Sequence, residues 1–278
     1  MAHHASAPGK IILSGEYAVV FEYPGIAMPA PIGIQAIFEP SQQKNIELHW
    51  EDAPQEWRTY LEEIVKHCEE SGMKSGGKLS IANQLPLGAG MGSSTALVIA
   101  VTRALLGQDC RAQALAVEDT VNPGHSGLDF AVIWKGKPVF FQKGNAVQHI
   151  ALPEKLLEGA LLIDTGTPNE TTPELIAWVK EREQELLPHL KTIGECTERL
   201  AIGENLQNVL RKHHRAQVAL GVVPEAVQEL IAEIERAGGA GKVLGAGART
   251  GGGGIVLALG KKEELISIAT SMEYSIPS

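Results

Sequence analysis

A glycine-rich segment, LPLGAGMGSSTA at residues 85–96, leads directly into a long apolar stretch. Gly88, Gly90 and Gly92 can adopt positive φ angles, which lets the backbone approach a ligand closely. Ser93 is placed to cap the helix that follows, whose first N–H groups and positive dipole end attract anions. The order of these residues predicts a strand, a phosphate-binding loop and a helix.

This loop differs from two common nucleotide-binding motifs. No Lys-Ser or Lys-Thr pair follows its last glycine, as a Walker A loop requires, and its glycine spacing is not that of the dinucleotide fingerprint. A glycine-rich turn before a helix also occurs as a tight turn without any ligand. Phosphate binding at the loop therefore has to be supported by residues elsewhere in the chain.

Charged residues outside the loop stand where a catalytic group or a metal ligand could be placed. Lys10 opens a short apolar strand beside a glycine, although a single lysine there is usually a solvated edge residue. Glu118 and Asp119 lie near the end of a helix, where acidic side chains oppose the helix dipole unless a cation compensates. Asp129 lies where a turn-rich segment meets an apolar run, a position that also suits an aspartate bonded to its own backbone.

Two segments in the second half of the chain, around Thr171 and at residues 245–254, can be explained either by local structure or by a role in ligand binding. Thr171 precedes a Thr-Pro pair at the start of a helix, and helix capping alone explains a threonine there. The glycine run at residues 245–254 lies between a helix and a strand. Because a flexible linker is rare in such a position, we expect a shaped backbone loop near the ligand.

The periodicity of apolar residues predicts the elements that hold these positions. Helices are predicted at residues 57–70, 95–106, 112–121, 172–190, 204–220 and 224–237. Strands are predicted at residues 11–13, 25–38, 78–82, 130–134, 138–142, 160–164 and 255–259. Alternating groups of helices and strands of this kind predict a mixed α and β protein.

Length and composition narrow the class of protein further. The 278 residues predict about two domains, and a change in composition near residues 154–159 places the boundary between residues 1–155 and 156–278. The formal net charge of −9, without a basic block, argues against a nucleic-acid surface or a polybasic membrane contact and favours a small-molecule partner. Three cysteines far apart in sequence and no apolar targeting segment predict a cytoplasmic protein.

Three segments together resemble the signature motifs of the GHMP kinase superfamily, and they occur in the same order. They are APGKIILSGEYAVV at residues 7–20, LPLGAGMGSSTA at 85–96 and KVLGAGARTGGGGIVLAL at 242–259. The resemblance spans almost the whole chain and implies an α+β, two-domain GHMP kinase fold. An N-terminal domain like domain 2 of ribosomal protein S5, with a left-handed β-α-β crossover, would bind ATP, and a ferredoxin-like domain would follow.

Within the superfamily the chain is most similar to the mevalonate kinase family. The spacing from Glu118 to Asp129, ending in Ser-Gly-Leu-Asp, and the sequence Asp164-Thr165-Gly166 with a following threonine match that family. This resemblance implies that ATP and Mg²⁺ serve to phosphorylate the 5-hydroxyl of mevalonate in isoprenoid precursor synthesis. It also implies a small-molecule substrate without nucleic-acid or membrane partners, and a homodimer is a common state in the superfamily.

The resemblance assigns roles to residues at matching positions. Lys10 and Asp129 would flank the substrate hydroxyl as the catalytic pair, and Ser94 and Glu118 would hold Mg²⁺. The residues implied to bind ATP are Pro86, Gly88, Ala89, Gly90, Met91, Gly92, Ser93 and Ser94. The residues implied to contact the substrate are Glu16, Tyr17, Asp129, Thr171 and Gly247.

The sequence departs from the mevalonate kinase pattern at three places. Tyr17 stands where a histidine is usual and is typical of phosphomevalonate kinase, residues 122–125 replace a His-Gly-x-Pro run, and Arg249 and Thr250 interrupt the last glycine motif. Phosphomevalonate kinase and a non-catalytic nucleotide or metabolite sensor therefore remain alternatives. The presence of Asp129 argues against the sensor, because a protein that only binds has no need of a proton acceptor.

Overall fold

The computed structural model describes residues 1–73 and 76–277, and contacts within the chain group them into two compact units. The first unit comprises residues 1–10, 29–87 and 92–137, and the second comprises residues 11–28, 88–91 and the chain from residue 138 onward. Strands β1 (His3–Ser14) and β2 (Gly25–Pro40) pair with each other, and each contributes residues to both units. The predicted boundary after residue 155 concerns folding domains, and it stays a prediction.

The first unit combines parts of β1 and β2 with two further strands and four helices. Strand β3 (Ile46–His49) pairs in parallel with β4 (Gly77–Asn83), and β4 pairs antiparallel with β2 from Ile34 opposite Asn83 to Pro40 opposite Gly77. The helices are α1 (Gln55–Glu70), α2 (Ser93–Leu106), α3 (Arg111–Val121) and α4 (Leu128–Lys135). Each of the predicted helices at 57–70, 95–106 and 112–121 is confirmed to within two residues.

Helix α2 is the central element of the first unit. Its side chains are apolar on nearly every side and almost all are buried, and α1, α3 and α4 all contact it. A helix that is apolar all round is stable in water only when other elements cover each face. Helix α2 is therefore held firmly, and so are Ser93, Ser94 and Thr95 in its first turn.

The second unit contains two groups of strands and five helices. Strand β5 (Val139–Phe141) pairs antiparallel with β2 and with β6 (Gln148–His149), while β9 (Ile255–Leu259) pairs antiparallel with both β7 (Leu161–Asp164) and β8 (Ala240–Val243). The helices are α5 (Thr172–Glu181), α6 (Glu183–Ala201), α7 (Leu206–Ala219), α8 (Glu225–Arg236) and α9 (Lys262–Ser271).

Two apolar clusters form the core of this unit. One packs β7, β8 and β9 against α8 and α9 around side chains such as Ile163, Leu230 and Val256. The other packs α5, α6 and α7 around a 3-10 helix at Ala18–Phe21, and Tyr17 is among its buried residues. The chain segment that contains Glu16 and Tyr17 is thus held by a helical core.

The predicted strand at residues 130–134 is wrong, because these residues form most of α4. Phe130, Ala131, Val132 and Ile133 are all buried, and a short, continuous apolar run cannot be distinguished from a buried helix by periodicity. Gly127 and Gly136 bound the helix in left-handed conformations. Asp129 therefore lies in the first turn of a helix and not at the start of a strand.

Two further details of the helix predictions are corrected. Gly92, with φ of 74°, is the N-cap of α2, while Ser93 lies inside the helix and does not cap it. The predicted helix at 172–190 is divided at Arg182, whose guanidinium donates to the carbonyl of Trp178 near the end of α5. Among the helices of the described residues, none is long and apolar enough to cross a membrane.

Candidate active site

Lys10 and Asp129 form a partly shielded ion pair in the first unit. The Lys10 Nζ lies 3.4 Å from the Asp129 Oδ2, with side chains 4% and 32% exposed respectively. Asp129 lies in the first turn of α4, where the helix dipole favours a negative charge. A Cβ atom on Gly92 would lie 2.8 Å from the Lys10 Cγ, so only glycine leaves room for the lysine stem. The structure thus brings together three predicted site residues.

Glu118 is a buried carboxylate in the same unit, and the charge of Asp129 acts on its pKa. It is 1% exposed on α3, and Thr95 Oγ1 donates a hydrogen bond of 2.7 Å to its Oε1 atom. Burial raises the pKa of Glu118, the side chains of Thr95 and Asn122 act to lower it, and the charge of Asp129 adds to the rise. Its second oxygen, Oε2, has no hydrogen-bond partner within residues 1–73 and 76–277.

A buried carboxylate oxygen without a partner is costly unless a cation occupies the space beside it. Ser94 and Glu118 offer oxygen donors, and Mg²⁺ prefers oxygen ligands and keeps several waters while using one or two carboxylates plus phosphates. In the described part of the chain no three His, Cys, Asp or Glu side chains are grouped so as to hold a metal ion. The donor set therefore fits Mg²⁺ bound together with a phosphate group better than a metal caged by protein ligands alone.

The acidic residues at the end of α3 have different partners. His125 Nε2 lies 2.8 Å from the Asp119 Oδ1, and the Asp119 side chain is 62% exposed. Asp119 is therefore a surface carboxylate paired with a histidine, while Glu118 points into the protein. The helix dipole did not distinguish the two residues in the sequence, and only the resemblance to the family gave Glu118 a role.

In the second unit, the loop at residues 88–91 packs against the last glycine motif. The Ile255 N–H donates to the Ala89 carbonyl at 3.1 Å. A Cβ atom on Gly90 would lie 2.3 Å from the Leu244 carbonyl oxygen, and one on Gly245 would lie 2.7 Å from the Gly90 Cα. The two glycine motifs, about 150 positions apart in the sequence, therefore require glycine because their backbones touch.

Glu16 lies in a buried cluster of charged and titratable groups. Its carboxylate forms an ion pair with the Lys242 ammonium, and its Oε2 lies 3.0 Å from the His213 Nε2. All three side chains are almost fully buried. Burial acts to raise the pKa of Glu16, but the charges of Lys242 and His213 outweigh it and hold the pKa at about 2. Lys242 opens the last glycine motif and His213 lies outside the motifs, and the sequence did not indicate that either residue pairs with Glu16.

The other predicted substrate residues are also held by contacts within the second unit. The Tyr17 hydroxyl donates to the Ala246 carbonyl, and the backbone at Tyr17 has a φ of 63°. The Thr171 hydroxyl forms a capping box with Glu174 at the start of α5, which confirms the capping explanation. A Cβ atom on Gly247 would lie 2.2 Å from the Val222 carbonyl oxygen. Roles toward a substrate stay predictions for all three.

The comparisons with known proteins address the family directly. The profile of the GHMP kinases N terminal domain matches residues 59–134. A curated mevalonate kinase from Pyrococcus abyssi is 30% identical over 98% of this chain and 92% of its own length. The chain belongs to the mevalonate kinase family.

Solved structures confirm the GHMP kinase fold expected for this family. The mevalonate kinase of Methanococcus jannaschii superimposes with a TM-score of 0.81 at 21% identity, covering 99% of this chain and 96% of that one. A phosphomevalonate kinase of Streptococcus pneumoniae superimposes with a TM-score of 0.76 at 17% identity over 100% and 98% of the two chains. The fold is thus common to kinases with different substrates.

Arg249 and Thr250, which depart from the mevalonate kinase pattern, are both hydrogen-bonded to the Glu170 carboxylate. The Glu170 Oε2 accepts from the backbone N–H of Arg249 at 3.0 Å, and its Oε1 accepts from the Thr250 hydroxyl at 2.8 Å. The net effect of these hydrogen bonds is a lowered pKa of Glu170, although its slight burial acts to raise it. The two inserted residues are therefore an ordered extension of the glycine loop.

Proposed function

We propose that the protein is an ATP-dependent kinase that phosphorylates the 5-hydroxyl of mevalonate, giving 5-phosphomevalonate and ADP. The observation that carries this function is the Lys10 and Asp129 pair at 3.4 Å, together with the buried Glu118 of the same unit, in a chain of the mevalonate kinase family. A protein that only bound nucleotide and metabolite would have no use for this pair.

Phosphoryl transfer depends mainly on positioning and on neutralising charge. Asp129 would accept the proton of the attacking alcohol, and its partial exposure leaves a carboxylate oxygen open to a substrate. Lys10 would stabilise the negative charge that develops on the alcohol oxygen as the proton leaves. Because Gly92 and the ion pair restrict the lysine stem, Lys10 needs no rearrangement to do this.

Ser94 and Glu118 would hold Mg²⁺. When bound, the ion supplies positive charge that neutralises the phosphate oxygens. The first N–H groups of α2 lack acceptors within the helix and favour phosphate. The residues that we propose to contact the ATP phosphates are Pro86, Gly88, Ala89, Gly90, Met91, Gly92, Ser93 and Ser94.

A cavity in the first unit is suited to the nucleoside of ATP. Its volume is about 560 Å³, and its lining includes Trp50, Ala82, Asn83 and Leu87, which is in the range of small-molecule sites. Leu87 immediately precedes the phosphate loop in the sequence, and Asn83 is hydrogen-bonded at both of its amide atoms to the backbone of Leu85. We place the adenosine in this cavity.

In the second unit we propose that Glu16, Tyr17, Thr171 and Gly247 form or support the surface that recognises mevalonate. The Tyr17 hydroxyl and the Glu16 carboxylate are bonded to other groups within the protein, so we assign these two residues to fixing the backbone of that surface.

A cytoplasmic location is supported by three buried cysteines that are all free thiols. The homodimer common in the superfamily can be tested by light scattering.

The decisive measurement is ADP release by the purified protein with Mg·ATP and mevalonate, compared with Mg·ATP and 5-phosphomevalonate. We expect turnover of mevalonate. Asp129→Asn should lower kcat at least ~100-fold, the lower range for a positioned general base, with an unchanged circular dichroism spectrum. Asp109→Asn, on an exposed aspartate of the same unit, should keep the parent kcat. An Asp129→Asn variant with normal kcat would remove Asp129 from the mechanism.

The same assay tests the nucleoside cavity. Ala82 is exposed to the solvent at the cavity wall, so Ala82→Trp should fill the space without disturbing the core. We expect a higher KM for ATP with an unchanged KM for mevalonate. Equal KM values for ATP in the variant and the parent would place the adenosine elsewhere.

One observation favours phosphomevalonate kinase as a second candidate. Tyr17 occupies the position where mevalonate kinases usually have a histidine, and a phosphomevalonate kinase has a similar fold. Selective turnover of 5-phosphomevalonate would support this candidate. ATP binding without turnover of either alcohol would support the sensor.

A further inference from the structure

Three buried polar atoms without hydrogen-bond partners lie in one region of the first unit. They are the Tyr60 hydroxyl on α1, the Asn122 side-chain nitrogen at the end of α3 and the Glu118 Oε2 on α3, each unpaired in the part of the chain that the structure describes. The side chains of Asn122 and Ser94 approach the Tyr60 hydroxyl closely enough to lower its pKa by hydrogen bonding, the charge of Glu118 acts to raise that pKa, and Asn122 also acts on Glu118. The three atoms are therefore neighbours.

A buried polar atom without a partner destabilises a protein, so three together call for an explanation. The group consists of an acceptor on Glu118, an amide donor on Asn122 and a hydroxyl on Tyr60 that can donate or accept. A bare cation would satisfy only the carboxylate. A hydrated cation would satisfy all three, because its bound waters donate to the carboxylate and to the hydroxyl, and a further water hydrogen-bonded to that shell accepts from the amide.

The ring and the hydroxyl of Tyr60 have separate roles. Its ring packs edge-on against Trp57 at a centroid distance of 5.7 Å, and Trp57 packs in the same way against Trp50 at 6.4 Å. Phenylalanine would keep these contacts. The hydroxyl is buried near the side chains of Ser94 and Asn122, which act to lower its pKa, but it makes no hydrogen bond of good geometry within the described chain.

We infer that Tyr60 and Asn122 are positioning residues that hold the water shell of the metal ion bound by Ser94 and Glu118. This inference rests on the proposed function, because it takes Mg²⁺ as the group held at Glu118. Neither residue touches the reacting atoms. Their contribution is to orient metal-bound waters, and partners of this kind typically change metal affinity by 10-fold or more when removed.

The test compares Tyr60→Phe with the parent in two measurements that do not depend on turnover. The first is Mn²⁺ binding in the presence of ADP, followed by the electron paramagnetic resonance signal of free Mn²⁺ against an ADP blank. We expect the Kd for Mn²⁺ to rise roughly 10-fold. The second is thermal unfolding without metal or nucleotide. We expect an equal or higher Tm, because the variant no longer buries an unpaired hydroxyl.

Tyr274→Phe is the matched control, since it removes a phenol hydroxyl from the second unit and should leave the Kd for Mn²⁺ unchanged. Glu118→Gln separates the inference from the proposed function. If Glu118→Gln weakens Mn²⁺ binding and Tyr60→Phe does not, only the inference about Tyr60 fails. If Glu118→Gln also leaves binding unchanged, the proposed metal site and the inference both fail. A lower metal-free Tm for Tyr60→Phe would show a structural bond of the hydroxyl and overturn the inference.

Discussion

Glu16 shows how a residue from one recognisable motif can depend on residues that lie far away in the sequence. Its carboxylate is paired inside the protein with Lys242, 226 positions away in the sequence. Two opposite charges buried together offset the cost of removing each from water, but a single one left behind has no such compensation. The segment that carries Tyr17 is thus tied to β8 by an ion pair.

Glu16→Gln should therefore destabilise the protein severely. Removal of one partner from a buried ion pair typically costs about 3 to 5 kcal/mol, and here Lys242 would keep its charge at 0% exposure. Urea unfolding at pH 7.5 measures the difference. Glu181→Gln, which breaks the exposed pair with Arg182, should change the free energy of unfolding very little. Similar decreases in the free energy of unfolding in both variants would show that the buried Glu16 pair stabilises the protein no more than an exposed pair does.

Local sequence indicated the residues of the first unit well but could not indicate Lys242 and His213. Lys10, Ser94, Glu118 and Asp129 stand within motifs of fixed spacing, and the structure pairs Lys10 with Asp129 and buries Glu118 in the same unit. Lys242 opens the last glycine motif and His213 lies in a polar stretch of α7, so their shared partner is visible only after folding. Tyr60 likewise reads as one more aromatic residue of an amphipathic helix.

At the scale of elements, glycines decide where the catalytic side chains can be. The predicted loop at residues 85–96 is confirmed as a turn leading into α2, but the cap is Gly92 and not Ser93. The sequence could not show that residue 92 has room only for glycine, because the reason is a contact with Lys10, which is distant in the sequence. For α4 the boundaries are set by Gly127 and Gly136, and an apolar run between two glycines suits a strand equally well.

Gly92→Ala should impair catalysis more than folding. A Cβ atom there would meet the Lys10 Cγ at 2.8 Å and the Ile133 Cδ1 at 3.1 Å, so Lys10 must move relative to Asp129. A displacement of about 1 Å can lower the rate by as much as ~100-fold, so we expect kcat to fall roughly 10- to 100-fold. Steady-state kinetics with mevalonate and ATP measure this change.

Gly136→Ala is the matched control for this prediction. Gly136 has a φ of +61°, close to the +74° of Gly92, but a Cβ atom at Gly136 would meet nothing within 4 Å. Both variants should lose about 1 to 2 kcal/mol of stability from the left-handed backbone, whereas only Gly92→Ala should lose activity. Equal kcat values in the two variants would show that the position of Lys10 does not limit turnover.

At the scale of the whole molecule, the formal net charge of −9 gives no information on which individual charged groups are buried. Composition predicted a small-molecule partner, and membership of the mevalonate kinase family supports that coarse statement. The order of the three motifs predicted the GHMP kinase fold, which the structural comparisons confirm. Composition could not show that two histidines, adjacent on α7, are buried in the second unit.

Because these two histidines are buried, we expect the free energy of unfolding to depend on pH. Burial lowers the pKa of His213, and burial together with the neighbouring charges lowers the pKa of His214 from 6.5 to about 4. Between pH 6.5 and pH 4 the unfolded chain therefore binds protons that the native protein does not. The free energy of unfolding must fall as the pH decreases through this range, by roughly 3 kcal/mol for His214 at 1.36 kcal/mol per pKa unit.

Two buried carboxylates help to define the pH window. Glu16, with a pKa of about 2 in the native protein, contributes stability that starts to be lost only below its ordinary value of 4.5. Glu118 acts in the opposite direction, because burial raises its pKa, so the native protein takes up that proton at a higher pH than the unfolded chain does.

The contribution of His214 is measured by urea unfolding at pH 7.5, 6.5, 5.5 and 5.0, compared for the parent and His214→Asn. The variant should show a smaller decrease, and parallel curves would mean that His214 titrates normally in the folded protein.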